Sequence, residues 1–193
     1  METFYSLQGE GYHTGKPSFF MRIGGCDVGC YWCDVKESWN AELHPVVHID
    51  TVVQKAVESQ ASTVVITGGE PLTYNLEPLT QKLKENNFNV HIETSGTEPL
   101  KGFFDWICLS PKKHQNPLPQ FYEKADELKI IIHQKSDFDW AELNKNRVKN
   151  ECKLFLQPEW SVAHDITKDI ISYIKKNTEW TLSLQTHKQI GIP

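Results

Sequence analysis

The sequence predicts an α/β fold, an open or partial (β/α) barrel of about six parallel strands with few helices. Three observations point there. Short apolar runs alternate with amphipathic stretches along the chain. Some runs, such as Val64-Val65-Ile66 and Ile130-Ile131-Ile132, are apolar on both faces, as strands of a buried, largely parallel sheet are. And 193 residues fall short of the roughly 250 that a full eight-fold barrel takes.

The strands, in order, are expected at residues 18–23, 63–67, 89–93, 105–109, 128–133, 153–157 and 181–185, all rich in Val, Ile, Phe and Leu. Between them, residues 50–59 place Val52, Val53, Ala56 and Val57 on one helical face, with Asp50 as the expected N-cap. Residues 76–85 repeat the pattern with Leu76, Leu79 and Leu83, and Asn86-Asn87 ends that helix. Residues 137–148 and 165–176 are the other two helices, the last with a stripe of Ile166, Ile170, Ile171 and Ile174. The connections 94–104 and 110–127 look thin on helix. No repeat, low-complexity tract or composition break divides the chain, so one domain over residues 1–193 is expected.

Composition narrows the function. Lys and Arg number 20 against 25 Asp and Glu, a formal net charge of −5, which leaves no broad basic field to hold nucleic acid. No apolar run approaches the roughly 18 residues of a membrane helix, so no membrane partner is expected. The start lacks a basic region followed by an apolar stretch, so a cytoplasmic address is expected. There the five cysteines stay reduced. Cys108 and Cys152 sit in or beside apolar strands and read as core.

Cys26, Cys30 and Cys33 crowd one short loop. Three thiolates can hold three corners of a cubane iron–sulfur cluster and leave the fourth open to a small molecule. Gly24, Gly25 and Gly29 let the backbone fold closely around such a group. A structural zinc site wants four ligands; no second cysteine pair exists, and His44 or His48 would have to complete it. Polar clusters follow five strands: Gly68-Gly69-Glu70-Pro71, Thr94-Ser95-Gly96, Ser110-Pro111-Lys112, Pro158-Glu159 and Thr186-His187-Lys188. Loops at the carboxyl ends of barrel strands carry the site in such folds, so the five form one expected rim.

Cys-x3-Cys-x2-Cys with a downstream Gly-Gly-Glu-Pro turn resembles the radical S-adenosylmethionine superfamily. Further stretches resemble one branch of it, the 7-carboxy-7-deazaguanine synthase family of queuosine and deazapurine biosynthesis. They are Phe4-Tyr5-Ser6-Leu7-Gln8-Gly9-Glu10-Gly11, Phe19-Phe20-Met21-Arg22-Ile23, Glu93-Thr94-Ser95-Gly96, Leu156-Gln157-Pro158 and Leu184-Gln185-Thr186-His187-Lys188. The resemblance runs from residue 4 to the last residue.

That resemblance implies a lyase that converts 6-carboxy-5,6,7,8-tetrahydropterin to 7-carboxy-7-deazaguanine with loss of ammonia. It implies one [4Fe-4S] cluster on Cys26, Cys30 and Cys33, whose open iron chelates S-adenosylmethionine and whose electron cleaves it to a 5′-deoxyadenosyl radical. The implied cofactor contacts are Trp32, Asp34, Gly69, Glu93, Ser95, Ser110, Pro111, Lys112, Gln157, Pro158, Glu159 and Trp160. The implied substrate contacts are Leu7, Gln8, Gly9, Glu10, Arg22, Thr67, His187 and Pro193, the last through its α-carboxylate. Arg22 suits a substrate carboxylate because its planar fork keeps its charge. Glu10 suits the adjacent N–H donors of a pterin edge. Mg2+, a homodimer and an electron donor such as flavodoxin or ferredoxin are implied as well. One departure stands out: Val35 replaces the family's usual threonine and offers magnesium no oxygen. Two other classes share the cysteine loop: a small activase that places a glycyl radical on a partner protein, and a non-enzymatic zinc-binding module.

Overall fold

The computed structural model describes all 193 residues, Met1–Pro193. Eight strands form one sheet in sequence order. They are β1 (Glu2–Leu7), β2 (Pro17–Ile23), β3 (Thr63–Gly68), β4 (Asn89–Thr94), β5 (Trp106–Leu109), β6 (Glu127–Ile132), β7 (Lys153–Pro158) and β8 (Trp180–Leu182). β1 runs antiparallel to β2, and every later pairing is parallel. Six α-helices follow the strands: α1 (Ile49–Glu58), α2 (Glu77–Glu85), α3 (Pro119–Lys124), α4 (Asp137–Lys145), α5 (Ala163–Ile174) and α6 (Thr186–Ile190). No helix is long and apolar enough to cross a membrane.

All seven expected strands are present, and the expected count of about six becomes eight. β1 is the added element. The sequence reading takes residues 4–11 only as a binding motif, whereas the structure makes Glu2–Leu7 an edge strand with Tyr5 and Leu7 exposed. An edge strand that buries little carries little apolar alternation to read. The last strand stops at Leu182, short of Gln185, and Thr186-His187-Lys188 starts α6 instead of forming a loop. The 94–104 connection is free of helix, but 110–127 contains α3.

Side-chain alternation gives the sheet two unlike faces. On one, the register sets Met21, Ile66, Ile92 and Ile107 side by side, then Leu109, Leu128, Leu154 and Trp180. This face packs on the helices and holds the core. Leu83 of α2, Phe121 of α3, Ala141 of α4 and Ile170 of α5 are fully buried against it. The other face carries His91, Glu93, Cys108, Glu127, Lys129 and Gln157. The sheet's outermost strands approach through their loops. Gly11 N–H donates to Ser183 Oγ at 2.9 Å, and Thr186 N–H donates to Gly9 O at 3.0 Å. The polar face is thereby curled inward.

Three helix details differ from expectation. His48, not Asp50, caps α1, its Nδ1 accepting from Asp50 N–H at 3.3 Å. Val57 and Ile171, expected on buried stripes, are 43% and 39% exposed. Each sits at the margin of its stripe, where a helix packed on a sheet turns toward water. Asn87 ends α2 with φ of 61°, as the Asn-Asn pair predicts. Cys108 and Cys152 are buried, as expected.

Candidate functional site

The inward face opens at the carboxyl ends of the strands into a cavity of about 490 Å3, a size in the range of small-molecule sites. All five polar clusters contribute residues to its wall, and so do Cys26, Cys30 and Cys33.

The cysteine loop leaves β2 and folds against the turn after β3. Gly25 N–H donates to Ser38 O at 2.6 Å, and Gly69 and Glu70 N–H donate to Ile23 O and Gly25 O at 2.9 and 3.0 Å. A Cβ on Gly69 would lie 2.2 Å from the Gly25 carbonyl oxygen and 3.0 Å from Cys26 Cβ. Sequence reasoning gives Gly69 to a close approach by a ligand. The structure supplies another reason: the turn and the cysteine loop meet backbone to backbone. Glu70 ties the turn onward. Its buried carboxylate accepts from Thr94 Oγ1 at 2.6 Å, Ser95 N at 2.8 Å and Ser95 Oγ at 2.6 Å. On the far side, the His114 ring Nε2 meets Val28 O, so the loop after β5 also grips the cysteine loop.

Burial pushes the Cys26 and Cys30 thiols up, and the other cysteines of the loop add to it. Backbone N–H groups of Val28 and Gly29 at Cys26, and Lys112 at Cys30, pull the other way without winning. Thiolates here therefore need a positive group, and soft sulfur donors suit iron. No three His, Cys, Asp or Glu side chains in the chain converge on a single ion. His44 is engaged: its ring Nε2 lies 2.8 Å from Glu37 O, and its ring fills the space beside Gly24. His48 is occupied as the α1 cap. Three clustered thiols without a fourth ligand fit a multi-iron group with an open corner, and they do not fit tetrahedral zinc.

Of the expected cofactor contacts, Trp32, Asp34, Gly69, Glu93, Ser95, Ser110, Lys112, Gln157, Pro158, Glu159 and Trp160 line the cavity. Pro111 is buried and does not. Lys112 donates to Ser110 Oγ at 2.7 Å and stands 5.7 Å from the Trp32 ring. Glu159 accepts from Ser161 N at 3.0 Å, which fixes the Pro158-Glu159-Trp160 corner.

All eight expected substrate contacts line the same cavity: Leu7, Gln8, Gly9, Glu10, Arg22, Thr67, His187 and Pro193. Arg22 lies over the Phe4 ring and donates to Glu2 Oε1 at 2.8 Å, a partly exposed pair between β2 and β1. Gln8 Nε2 donates to Glu93 Oε1 at 2.9 Å, and Gln8 Oε1 accepts from Glu10 N–H at 3.1 Å. Gln185 Nε2 donates to Glu10 Oε1 at 2.9 Å and to Asp34 Oδ2 at 3.0 Å. Lys188 also pairs with Asp34. Burial pushes the His187 ring down, and the ring sits where a Cβ on Gly9 would be, 2.1 Å from Nδ1.

Lys129 is the residue that sequence reasoning missed. Its side chain is 4% exposed and bonds both Glu10 and Glu93. Its signal was available: a lone cation amid Leu128 and Ile130-Ile131-Ile132 needs a buried anion. Gln185 and Lys188 lie in a quoted motif but carried no expected role.

The chain is similar to known proteins. A model of the Radical SAM superfamily matches residues 21–112. A 7-carboxy-7-deazaguanine synthase of Flavobacterium psychrophilum is 55% identical over 193 residues, covering 100% of this chain and 91% of that protein. A Synechocystis 7-carboxy-7-deazaguanine synthase is 49% identical, covering 99% of this chain and 91% of its own. The crystal structure of QueE from Escherichia coli superposes with a TM-score of 0.79 at 32% identity, over 95% of this chain and 91% of that one.

Proposed function

The chain belongs to the 7-carboxy-7-deazaguanine synthase family of radical S-adenosylmethionine enzymes, and from that we propose that it converts 6-carboxy-5,6,7,8-tetrahydropterin to 7-carboxy-7-deazaguanine and ammonia. It is a carbon–nitrogen lyase that uses one [4Fe-4S] cluster and S-adenosylmethionine. The observation that carries the reading is the cavity itself: the three thiols and the Gln8-Gly9-Glu10 turn, Arg22, Thr67 and His187 line one space. A glycyl-radical activase would have no use for those substrate groups.

Cys26, Cys30 and Cys33 hold the cluster. The cluster would supply a single electron and the cofactor a reducible sulfonium, together one-electron chemistry that no side chain of this protein offers. The chain's own residues bind, orient and keep water out. Trp32 and Asp34, with Glu93, Ser95, Ser110, Lys112 and the 157–160 corner, wall the cofactor side. On the substrate side, Arg22 exchanges Glu2 for the pterin carboxylate as a charge-assisted fork. Glu10 accepts from the pterin N–H edge, and Pro193 closes that end beside Ser6, whose Oγ donates to the Pro193 carbonyl at 3.2 Å.

The chain presents no magnesium shell of its own. Val35 lines the cavity without a side-chain oxygen, Asp34 is engaged by Gln185 and Lys188, and no acidic cluster converges. Magnesium stimulation is expected to be weak in the parent and stronger in Val35→Thr; equal stimulation of both removes any role for that position. We read residues 1–193 as one radical S-adenosylmethionine domain, acting as a homodimer in the cytoplasm, where its thiols stay reduced, with a flavodoxin or ferredoxin as donor.

The test is anaerobic turnover of the reconstituted protein with the carboxylated pterin, S-adenosylmethionine and a reductant. Equal amounts of ammonia and the deazapurine chromophore are expected, with the cofactor not consumed in step. Cofactor cleavage that leaves the pterin unchanged would sink the proposal.

A further inference from the structure

Lys129 sits mid-way along β6, on the strand's inward face, and is buried in the centre of the cavity wall. Its ammonium donates to Glu10 Oε2 and, at 3.0 Å, to Glu93 Oε2. Those two carboxylates come from elements far apart in the sequence: Glu10 from the loop after β1, Glu93 from β4. Gln8 bridges them a second time, bonding Glu93 directly and the Glu10 backbone. No other cation bonds either carboxylate.

Resting on the proposed function, we propose that Lys129 is a positioning residue of the reaction. Its two bonds hold the substrate-side and cofactor-side walls in register and keep Glu10 a charged acceptor for the N–H edge of the pterin. The physical argument is one of charge. Two carboxylates facing a shared buried space cannot both stay ionised without a counter-charge. With Lys129 between them, the Glu10 carboxyl is held well below the usual range although burial pushes it up. Burial likewise disfavours the ammonium, but Glu10 and Glu93 hold Lys129 well above the usual lysine range, so it keeps its proton. Other titratable groups face this trio: Glu127 from β6, Cys108 from β5, Lys112 from the loop after β5, His187 from α6 and Asp34 from the cysteine loop. Lys112 is the one further cation among them, and its ammonium bonds Ser110 rather than Glu10 or Glu93.

The test reads binding, not turnover. Cluster-loaded parent, Lys129→Met, Lys129→Gln and Glu10→Gln are titrated calorimetrically with 6-carboxy-5,6,7,8-tetrahydropterin, with S-adenosylmethionine present and no reductant. Removing Lys129 lets one carboxyl take a proton near neutral pH. Pterin affinity of both Lys129 variants is therefore expected to fall by up to about tenfold per pH unit below the new carboxyl pKa, and to recover toward pH ~8.5. The ratio of parent to variant affinity isolates the protein's proton from the ligand's own titration. Losses for Lys129→Met and Glu10→Gln should not add in the double variant, because one acts through the other. A pH-independent ratio, or additive losses, overturns the proposal. So does loss of near-UV circular dichroism in both Lys129 variants, which makes Lys129 a folding residue. A parent that does not bind the pterin at all fails the proposed function instead.

Discussion

Leu128 and Lys129 are neighbours in β6, and both are buried. Leu128 joins Leu109 and Leu154 on the face that packs against helices. Lys129 points the other way, into the cavity, where its ammonium bonds Glu10 and Glu93. The same contrast repeats in β4, where Ile92 belongs to the core and Glu93 to the cavity. In β7 it falls between Leu156 and Gln157. One sheet thus does two jobs, and the division is one of side-chain direction. The helix side holds the fold by burying apolar area, and the cavity side holds geometry by matched charges and hydrogen bonds. Damage to the first should appear as lost stability, damage to the second as lost chemistry.

The sharpest break of that contrast is Cys30→Ala. Product formation should fall below detection, and anaerobically purified protein should lose its iron and the broad absorption near ~400 nm of thiolate-held iron–sulfur. Unfolding of the metal-free forms should barely change, since Cys30 belongs to the cavity wall. Metal and sulfide analysis beside a urea melt checks both halves.

Ile130→Ala is the mirror experiment. Ile130 is fully buried in the core, so the change should cost about 2–5 kcal/mol of stability. The urea midpoint should fall with an unaltered slope, while activity per folded molecule stays near the parent's. An equal loss of activity at low temperature would mean that the two faces are not separable.

Gly69→Ala tests the seam between them. A Cβ 2.2 Å from the Gly25 carbonyl forces the turn and the cysteine loop apart, at a cost of about 1–3 kcal/mol. Reconstituted iron per chain should drop as well. Full iron content with unchanged stability would show that the loop yields freely.

The smallest expected effect concerns the floor of the polar face. There His13 packs on His91 with ring centroids 4.5 Å apart, and Tyr12 stacks on Trp106. Burial and then His13 push the His91 ring down to about 4. A base held neutral in the fold but protonated when unfolded makes stability fall as pH drops below about 6.5, until the folded ring itself titrates. The parent melting temperature should therefore decline between those limits. In His91→Gln that decline should be shallower, by roughly 2–4 °C for each kcal/mol removed. Parallel pH curves for parent and variant would assign the acid sensitivity elsewhere.

Much of this division was legible in the sequence, and for physical reasons. Buried parallel strands must be apolar on their helix-covered side, so the seven parallel strands stood out as Val- and Ile-rich runs. β1 escaped because an exposed edge strand needs no such run. Thr186-His187-Lys188 read as loop because α6 is one short turn whose formation depends on contacts with the first hairpin. These include the Thr186 hydroxyl donating to Gly9 O at 2.8 Å. The cysteine trio, the Gly-Gly-Glu-Pro turn and the substrate turn were visible because each packs its chemistry into a few consecutive residues. Lys129 carried a local signal, a lone cation in an apolar run, but not its role, because its partners lie far from it in sequence, on other elements.

Composition and spacing alone determined which residues could ligate iron, which runs had to be buried and which loops would meet at a rim, since those properties belong to residues and their near neighbours. The register of the strands, the glycine contact between two loops and the cation that joins Glu10 to Glu93 were decided only when the chain closed on itself. They depend on distances between segments, and no local pattern encodes a distance.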